Sequence, residues 1–218
     1  MFDSPGFVLF VILAVLFVGS YVIGAQYNAR LGDKTLKWLQ KGLPQLGEKA
    51  TLRWIGSSVF ELKIAKARDP FRSADILVAM LPRDAPLLWG WGYMRDRRDL
   101  LIVRGQLRQA PHFDLEARVP RIWAGPNSPP NAALKWTAAQ GGVANNMQAD
   151  YRGRISPYSI NRLIVAASLD GLTLVRLAIH GAVPNLEVYF LLPRFDQVSS
   201  QRMAASLRQL AEEVLKVE

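Results

Sequence analysis

The sequence predicts an α+β protein: one N-terminal transmembrane helix, then a single soluble domain with an antiparallel or mixed sheet and helices on one face. Three observations lead there. Residues 7–25 (FVLFVILAVLFVGSYVIGA) form an uncharged apolar run. Behind it, several segments alternate apolar and polar residues with the period of two expected of a strand that faces water on one side. Two segments nearer the C-terminus repeat their apolar residues at helical spacing instead.

The first element is set by length and charge. Nineteen residues from Phe7 to Ala25, at 1.5 Å each, cover about 28 Å, close to the thickness of a bilayer's hydrocarbon core. A cleaved signal peptide is the competing reading, with Ser20 or Ala25 near its cleavage point. Against it, the leading MFDSPG holds an acid and no basic residue, and the apolar run is longer than a usual signal core. The chain has no Cys, which excludes a lipoprotein route, disulfides, thiolate chemistry and cysteine metal sites. Arg30, Lys34, Lys37 and Lys41 follow the run against Asp33 alone. By the positive-inside rule the N-terminus is then outside and the C-terminal side in the cytoplasm. The same four cations are candidates for contact with anionic lipid.

The expected organisation is residues 1–6 outside, 7–25 in the membrane, 26–48 as a basic juxtamembrane helix and 49–218 as a cytoplasmic domain. Within 33–47, Leu36, Leu39 and Leu43 share one helical face and Lys34, Lys37 and Lys41 another. That segment either lies in the membrane interface or packs on the domain, with Pro44 and Gly47 ending it. Beyond residue 25 the chain holds all 27 basic and 17 of the 18 acidic side chains, a surplus of ten positive charges. Such a surface seeks anions, and the anchor makes membrane lipid a closer partner than nucleic acid.

Residues 58–66 (SVFELKIAK) alternate strictly, with Phe60, Leu62 and Ile64 as the buried face. Residues 74–83 (ADILVAMLPR) are a near-continuous apolar run ending at Pro82, which reads as a central strand paired to the first through a long loop. Residues 87–93 (LLWGWGY) interleave Trp89, Trp91 and Tyr93 with Gly90 and Gly92. Two glycines in four residues favour a loop, and Trp and Tyr favour the head-group level, so this segment is expected at the membrane interface beside Arg95, Arg97 and Arg98. The competing reading makes Trp89 and Trp91 core residues.

Residues 100–119 predict a hairpin turning at Gln109-Ala110-Pro111, with Arg104 opposite Glu116, Gln106 opposite Asp114 and Arg108 opposite His112. Residues 120–131 and 141–146 read as connections, and 133–139 as an extended segment. Ser156-Pro157 opens a helix whose Ile160, Leu163, Ile164 and Ala167 face the core. The rival there is a hairpin at Asp170-Gly171. Residues 172–180 and 186–194 form a second strand pair about Val183-Pro184-Asn185. A last helix, 199–216, buries Met203, Leu207, Leu210 and Val214. Helix, strand, strand and Leu-Pro-Arg thus occur twice, at residues 81–83 and 192–194, which suggests an internal duplication; convergent strand endings are the alternative.

Sites of chemistry are sparse. His112 and His180 lie beside turns, and neither has a second histidine at metal-binding spacing, so no metal is expected. Acids are scattered among arginines and turns. No phosphate loop, dinucleotide fingerprint, nucleophile elbow or HExxH pattern occurs, so no cofactor is expected. The function expected is a membrane-tethered, non-catalytic interaction or assembly module facing the cytoplasm, binding anionic lipid or a protein partner in the same membrane. A membrane-bound enzyme whose site assembles in space is the alternative. A concave pocket of converging Asp and Arg residues would favour the enzyme; a flat, basic, aromatic-rimmed face would favour the module.

Overall fold

The computed structural model describes residues 5–120, 122, 135–139 and 143–217. Most of the connection at 120–131 and the Gly141-Gly142 pair fall outside them. The elements in chain order are α1 (Pro5–Leu46), β1 (Ala50–Trp54), β2 (Val59–Ile64), β3 (Phe71–Ala79), α2 (Pro86–Met94), β4 (Leu100–Leu107), β5 (Phe113–Arg118), β6 (Thr137–Ala138), β7 (Gln148–Gly153), α3 (Pro157–Ala167), β8 (Leu174–Ile179), β9 (Leu186–Leu191) and α4 (Ser200–Leu215).

Apolar run and basic segment are one continuous helix, α1, of 42 residues. Its first part, to Val18, is exposed on every side. From Gly24 onward one face turns inward, through Asn28, Gly32, Thr35, Trp38, Leu39, Gly42 and Leu46. The segment 33–47 therefore packs on the domain, which answers the choice left open by its pattern. Pro44 lies inside the last turn and does not end the helix.

Among the described residues, nine strands form one antiparallel sheet in the order β1-β2-β3-β4-β9-β8-β5-β7-β6. One face carries Phe60, Ile76, Leu101, Val188, Leu177 and Leu115, all buried, and receives Leu39 and Leu46 of α1 with the apolar faces of α3 and α4. The helix signals are read correctly: the Ser156 hydroxyl caps α3 by accepting from the Ser159 N–H, with Pro157 opening the helix. Ser199 caps α4 in the same way through Arg202. In each helix all four expected apolar residues are buried. β2 pairs with β3, and β8 with β9, as their patterns predicted.

Two expectations are corrected. β4 and β5 are strands but do not pair: β4 lies between β3 and β9, and β5 between β8 and β7. The β8–β9 hairpin is inserted between them. Asn185, at its turn, is buried; its side-chain carbonyl accepts from the Leu107 N–H (3.0 Å) and its own N–H donates to the Gly105 carbonyl (3.0 Å). Arg104 faces Glu187 instead of Glu116, Arg108 pairs with Asp69, and His112 is exposed. Alternation fixes which face a strand buries but leaves its neighbour open, because every alternating strand offers the same apolar face. The second correction is at residues 87–93, which lie in helix α2 and not in a loop.

The two Leu-Pro-Arg segments end side by side, since the Leu81 N–H donates to the Asp99 carboxylate (2.7 Å) and the Leu192 N–H to the Asp99 carbonyl (2.8 Å). β3 and β9 flank β4 and run in the same direction, but β2 and β8 lie on opposite lateral sides. A rotation superposing the two hairpins turns the sheet over. It would set the preceding helices on opposite faces, whereas α1 and α3 cover the same one.

Candidate functional site

At the end of the domain where the apolar part of α1 emerges, α2 lies against α1. The approach begins at Gly24, where an added Cβ would fall 1.9 Å from the Arg83 carbonyl oxygen, so only a glycine lets the two backbones meet there. One turn on, the Asn28 amide donates to the Leu81 carbonyl (3.0 Å) and accepts from Arg83 (3.2 Å). Arg83 grips Asp99 through two hydrogen bonds of 3.0 and 2.7 Å. Its guanidinium also sits over the Tyr27 ring, 4.8 Å from the centroid. This closed polar network fixes the segment that leads into α2, and composition alone did not point to it. Its traces in the sequence are an Asn just behind an apolar run and the Leu-Pro-Arg strand end.

α2 opens with Pro86 in its first turn, a position where proline's missing N–H costs nothing. Each helical glycine costs about 1 kcal/mol relative to alanine. Gly92 is nevertheless useful, being buried where a Cβ would meet Leu81 and Arg97 at 3.6 Å. Two aromatic side chains are each covered by a cation, Trp91 by Arg95 at 4.5 Å and Tyr93 by Arg98 at 4.6 Å. Arg97 closes the following turn through its N–H on the Gly92 carbonyl (3.0 Å). The outer side of α2 is left apolar, with Leu87 82% and Trp91 55% exposed alongside Leu88 and Met94. Trp89 and Trp91 are therefore not core residues.

Between α1 and α2 runs a groove of about 650 Å³. Ser20, Ile23, Gly24 and Tyr27 line one side, and Pro86, Trp89 and Tyr93 the other. Arg30, Lys34, Lys37 and Lys41 are exposed along α1, on the side away from its buried stripe. Tyr27 borders both the groove and a concavity of about 550 Å³ that contains Arg30, Lys34 and Lys37.

A second constellation lies on the sheet face away from α1, α3 and α4. Glu116 and Arg176 form a buried bidentate pair, with hydrogen bonds of 2.9 and 2.6 Å. His180 Nε2 stands 3.2 Å from Glu116, and its Nδ1 stands 3.7 Å from Asp114. Asp114 in turn accepts from Arg152 (2.9 Å) and from the Gly181 N–H (3.0 Å). Burial pushes the Glu116 carboxyl up, but hydrogen bonds from His180 and Arg176 and their charge outweigh it and hold it below the usual range. Tyr189, whose ring lies under the Arg176 guanidinium, is raised, by burial first and then by Glu187, to which its hydroxyl donates (2.8 Å). Asp114, Arg152, Arg176, His180 and Glu187 border a cavity of about 410 Å³ walled by Trp136, whose indole N–H has no hydrogen-bond partner among the described residues. Sequence reasoning did not foresee this convergence, because its acids, bases and histidine come from four separate strands and turns. Among the described residues, no group of three or more His, Cys, Asp or Glu side chains is arranged to hold a metal ion.

No protein-family model matches the chain, and no curated protein matches it. α1 is long and apolar enough to cross a membrane, with none of its most hydrophobic 18-residue window buried; an N-terminal signal sequence satisfies the same test.

Proposed function

We propose that the chain is a single-pass membrane protein whose domain is held flush against the bilayer as a non-catalytic interaction or assembly module. Phe7 to Ala25 is the retained anchor, and residues 30–218 lie in the cytoplasm. One observation carries this reading: Trp89 and Tyr93 of α2 border a groove with Ser20, Ile23 and Gly24, from the final turns of the apolar run, and with Tyr27 just behind it. A bilayer that accommodates the run meets α2 at its surface. There the exposed Leu87, Leu88, Trp91 and Met94 reach acyl chains, and Arg95, Arg97 and Arg98 reach head groups. Arginines near an anionic surface contribute roughly 1 kcal/mol each. The stripe Arg30, Lys34, Lys37 and Lys41 continues along α1 and supports the same side for the domain by the positive-inside rule. With the domain's tilt fixed by α1 and α2, its remaining surface is presented to a partner in the same membrane.

The absence of native cysteine makes the test direct. A nitroxide on Leu87→Cys or Trp91→Cys, in the full chain reconstituted in anionic vesicles, should be more accessible to oxygen than to a soluble nickel chelate. A label on Gln201→Cys should show the reverse. Equal solvent access at all three sites would refute the docked geometry. In intact cells, an impermeant maleimide should leave Lys41→Cys unlabelled, and the N-terminal mass should be that of the uncleaved chain.

The second reading, a membrane-bound enzyme, is favoured by the cavity in which His180 stands between two carboxylates. Its weakness is that Asp114 and Glu116 are already engaged by Arg152 and Arg176. Complementation of a deletion strain separates the two. If Asp114→Asn with His180→Gln restores the wild-type phenotype at wild-type protein level and removal of α2 does not, the module reading stands; the opposite pattern supports the enzyme.

A further inference from the structure

We propose that the groove between α1 and α2 is a site for one anionic glycerophospholipid, an inference that rests on the membrane-docked reading and names its ligand. Its volume, about 650 Å³, is within the roughly 300–1,000 Å³ of small-molecule sites. The walls combine apolar and aromatic surface with charged groups. Ile23, Leu81, Pro86 and Trp89 make much of the lining apolar or aromatic, joined by Tyr27 and Tyr93, and the Ser20 hydroxyl is turned back onto the Phe17 carbonyl of its own helix (2.8 Å). Charged groups enter from Arg83, Asp99 and Arg98. Arg83 and Asp99 neutralise each other at 2.7 Å, so the local charge is set by Arg98 with its neighbours Arg95 and Arg97, against Asp96 and, next to Arg83, Asp84.

Arg98 is also held in place. Its Nη1 donates to the Tyr93 and Arg97 carbonyls (3.3 and 2.8 Å), its Nη2 pairs with Asp96 (3.3 Å), and its plane covers the Tyr93 ring. A guanidinium has five N–H donors, which among the described residues leaves Nε and one Nη2 hydrogen for a phosphate oxygen. An acyl chain running along Ile23 and Trp89 with its phosphate at Arg98 satisfies both parts of the groove. A zwitterionic lipid would bring a second cation to a place that already has a surplus, and is disfavoured. The site accordingly selects for charge and holds one molecule, unlike the diffuse attraction of a basic surface.

The test is native mass spectrometry of the full chain purified in detergent and exposed to dioleoylphosphatidylglycerol or dioleoylphosphatidylcholine. One phosphatidylglycerol should survive delipidation, retained about tenfold better than phosphatidylcholine. Ile23→Trp, at a position 71% exposed, fills the groove and should release it without changing the melting temperature. Arg98→Gln with Arg95→Gln should keep a bound lipid but lose the preference. Equal retention of the two lipids, no stoichiometric lipid, or a lipid retained by Ile23→Trp would overturn the assignment. If the nitroxide labels place α2 in the interface while no lipid is retained, this inference alone fails. If they place α2 in water, the docked reading fails with it.

Discussion

Gly24 is the residue at which the exposed part of α1 becomes part of the domain. A Cβ there would overlap the Arg83 carbonyl, and neither the helix backbone nor the strand end can retreat without breaking the Asn28, Arg83 and Asp99 network. Gly24→Val should therefore cost about 1–3 kcal/mol and weaken the contact of α1 with α2. Chemical denaturation of the full chain in micelles measures the first effect, and the mobility of a nitroxide on α2 the second. Wild-type values for both would mean that the helix does not seat at Gly24.

At the far face, Glu116 makes a different kind of contribution. Its carboxyl is held below the ordinary value of 4.5 in the folded chain. A depressed carboxyl stabilises the fold at pH values above its unfolded pKa, and that stability is lost as pH falls through 4.5 towards the folded value. Glu116→Gln removes the buried carboxylate that Arg176 grips with two hydrogen bonds, a loss on the order of 3–5 kcal/mol at neutral pH. The difference from wild type should shrink in acid, where wild type has also lost the pair. Asp75 works in the opposite sense, because burial raises its carboxyl and ionising it costs stability as pH rises. Urea midpoints between pH 3 and 7 would show the convergence; a constant gap would show that Glu116 is not the titrating partner.

Among the elements, α2 is the one whose conformation its own residues argue against. Gly90 and Gly92 break helices in isolation, yet Gly92 is packed on Leu81 and Arg97, while Gly90 has nothing within 4 Å of the place its Cβ would occupy. Gly90 thus contributes only the entropic penalty. Gly90→Ala should stabilise the protein by about 1 kcal/mol, a rise in Tm of roughly 2–4 °C. Gly92→Ala, at a tighter position, should gain less. A loop at residues 87–93 would show no gain at Gly90.

For the molecule as a whole, α1 unites two halves with different solvents. Deleting residues 2–22 removes none of the residues that α1 buries in the domain, and should leave a folded chain with an apolar α2 face that self-associates or binds vesicles. Deleting residues 2–46 also removes Trp38, Leu39 and Leu46 from the core. It further strips the Trp38 indole bond to the Val198 carbonyl (2.8 Å) and the Ser200 bond to the Trp38 carbonyl (2.5 Å), which tie α1 to α4. Circular dichroism and size exclusion should find the shorter deletion helical and cooperative in melting, and the longer one aggregated. A folded longer deletion would demote the second half of α1 to a linker.

By itself the sequence determined the long apolar helix, the buried face of β2, the strand character of β4, β5, β8 and β9, and both capped helices α3 and α4. Those features are local: a period of two or 3.6 and a serine at the first turn act within a dozen residues. The tertiary structure alone decided three things. It separated β4 from β5, since alternating strands are interchangeable until the Asn185 turn secures β9 beside β4. It made α2 a helix, since packing on Leu81 and α1 outweighs the glycine penalty. And it gathered Asp114, Glu116, Arg176 and His180, which stand up to 66 positions apart in the chain, because neighbours across a sheet are set by strand order, and strand order is a property of the whole core and of no single segment.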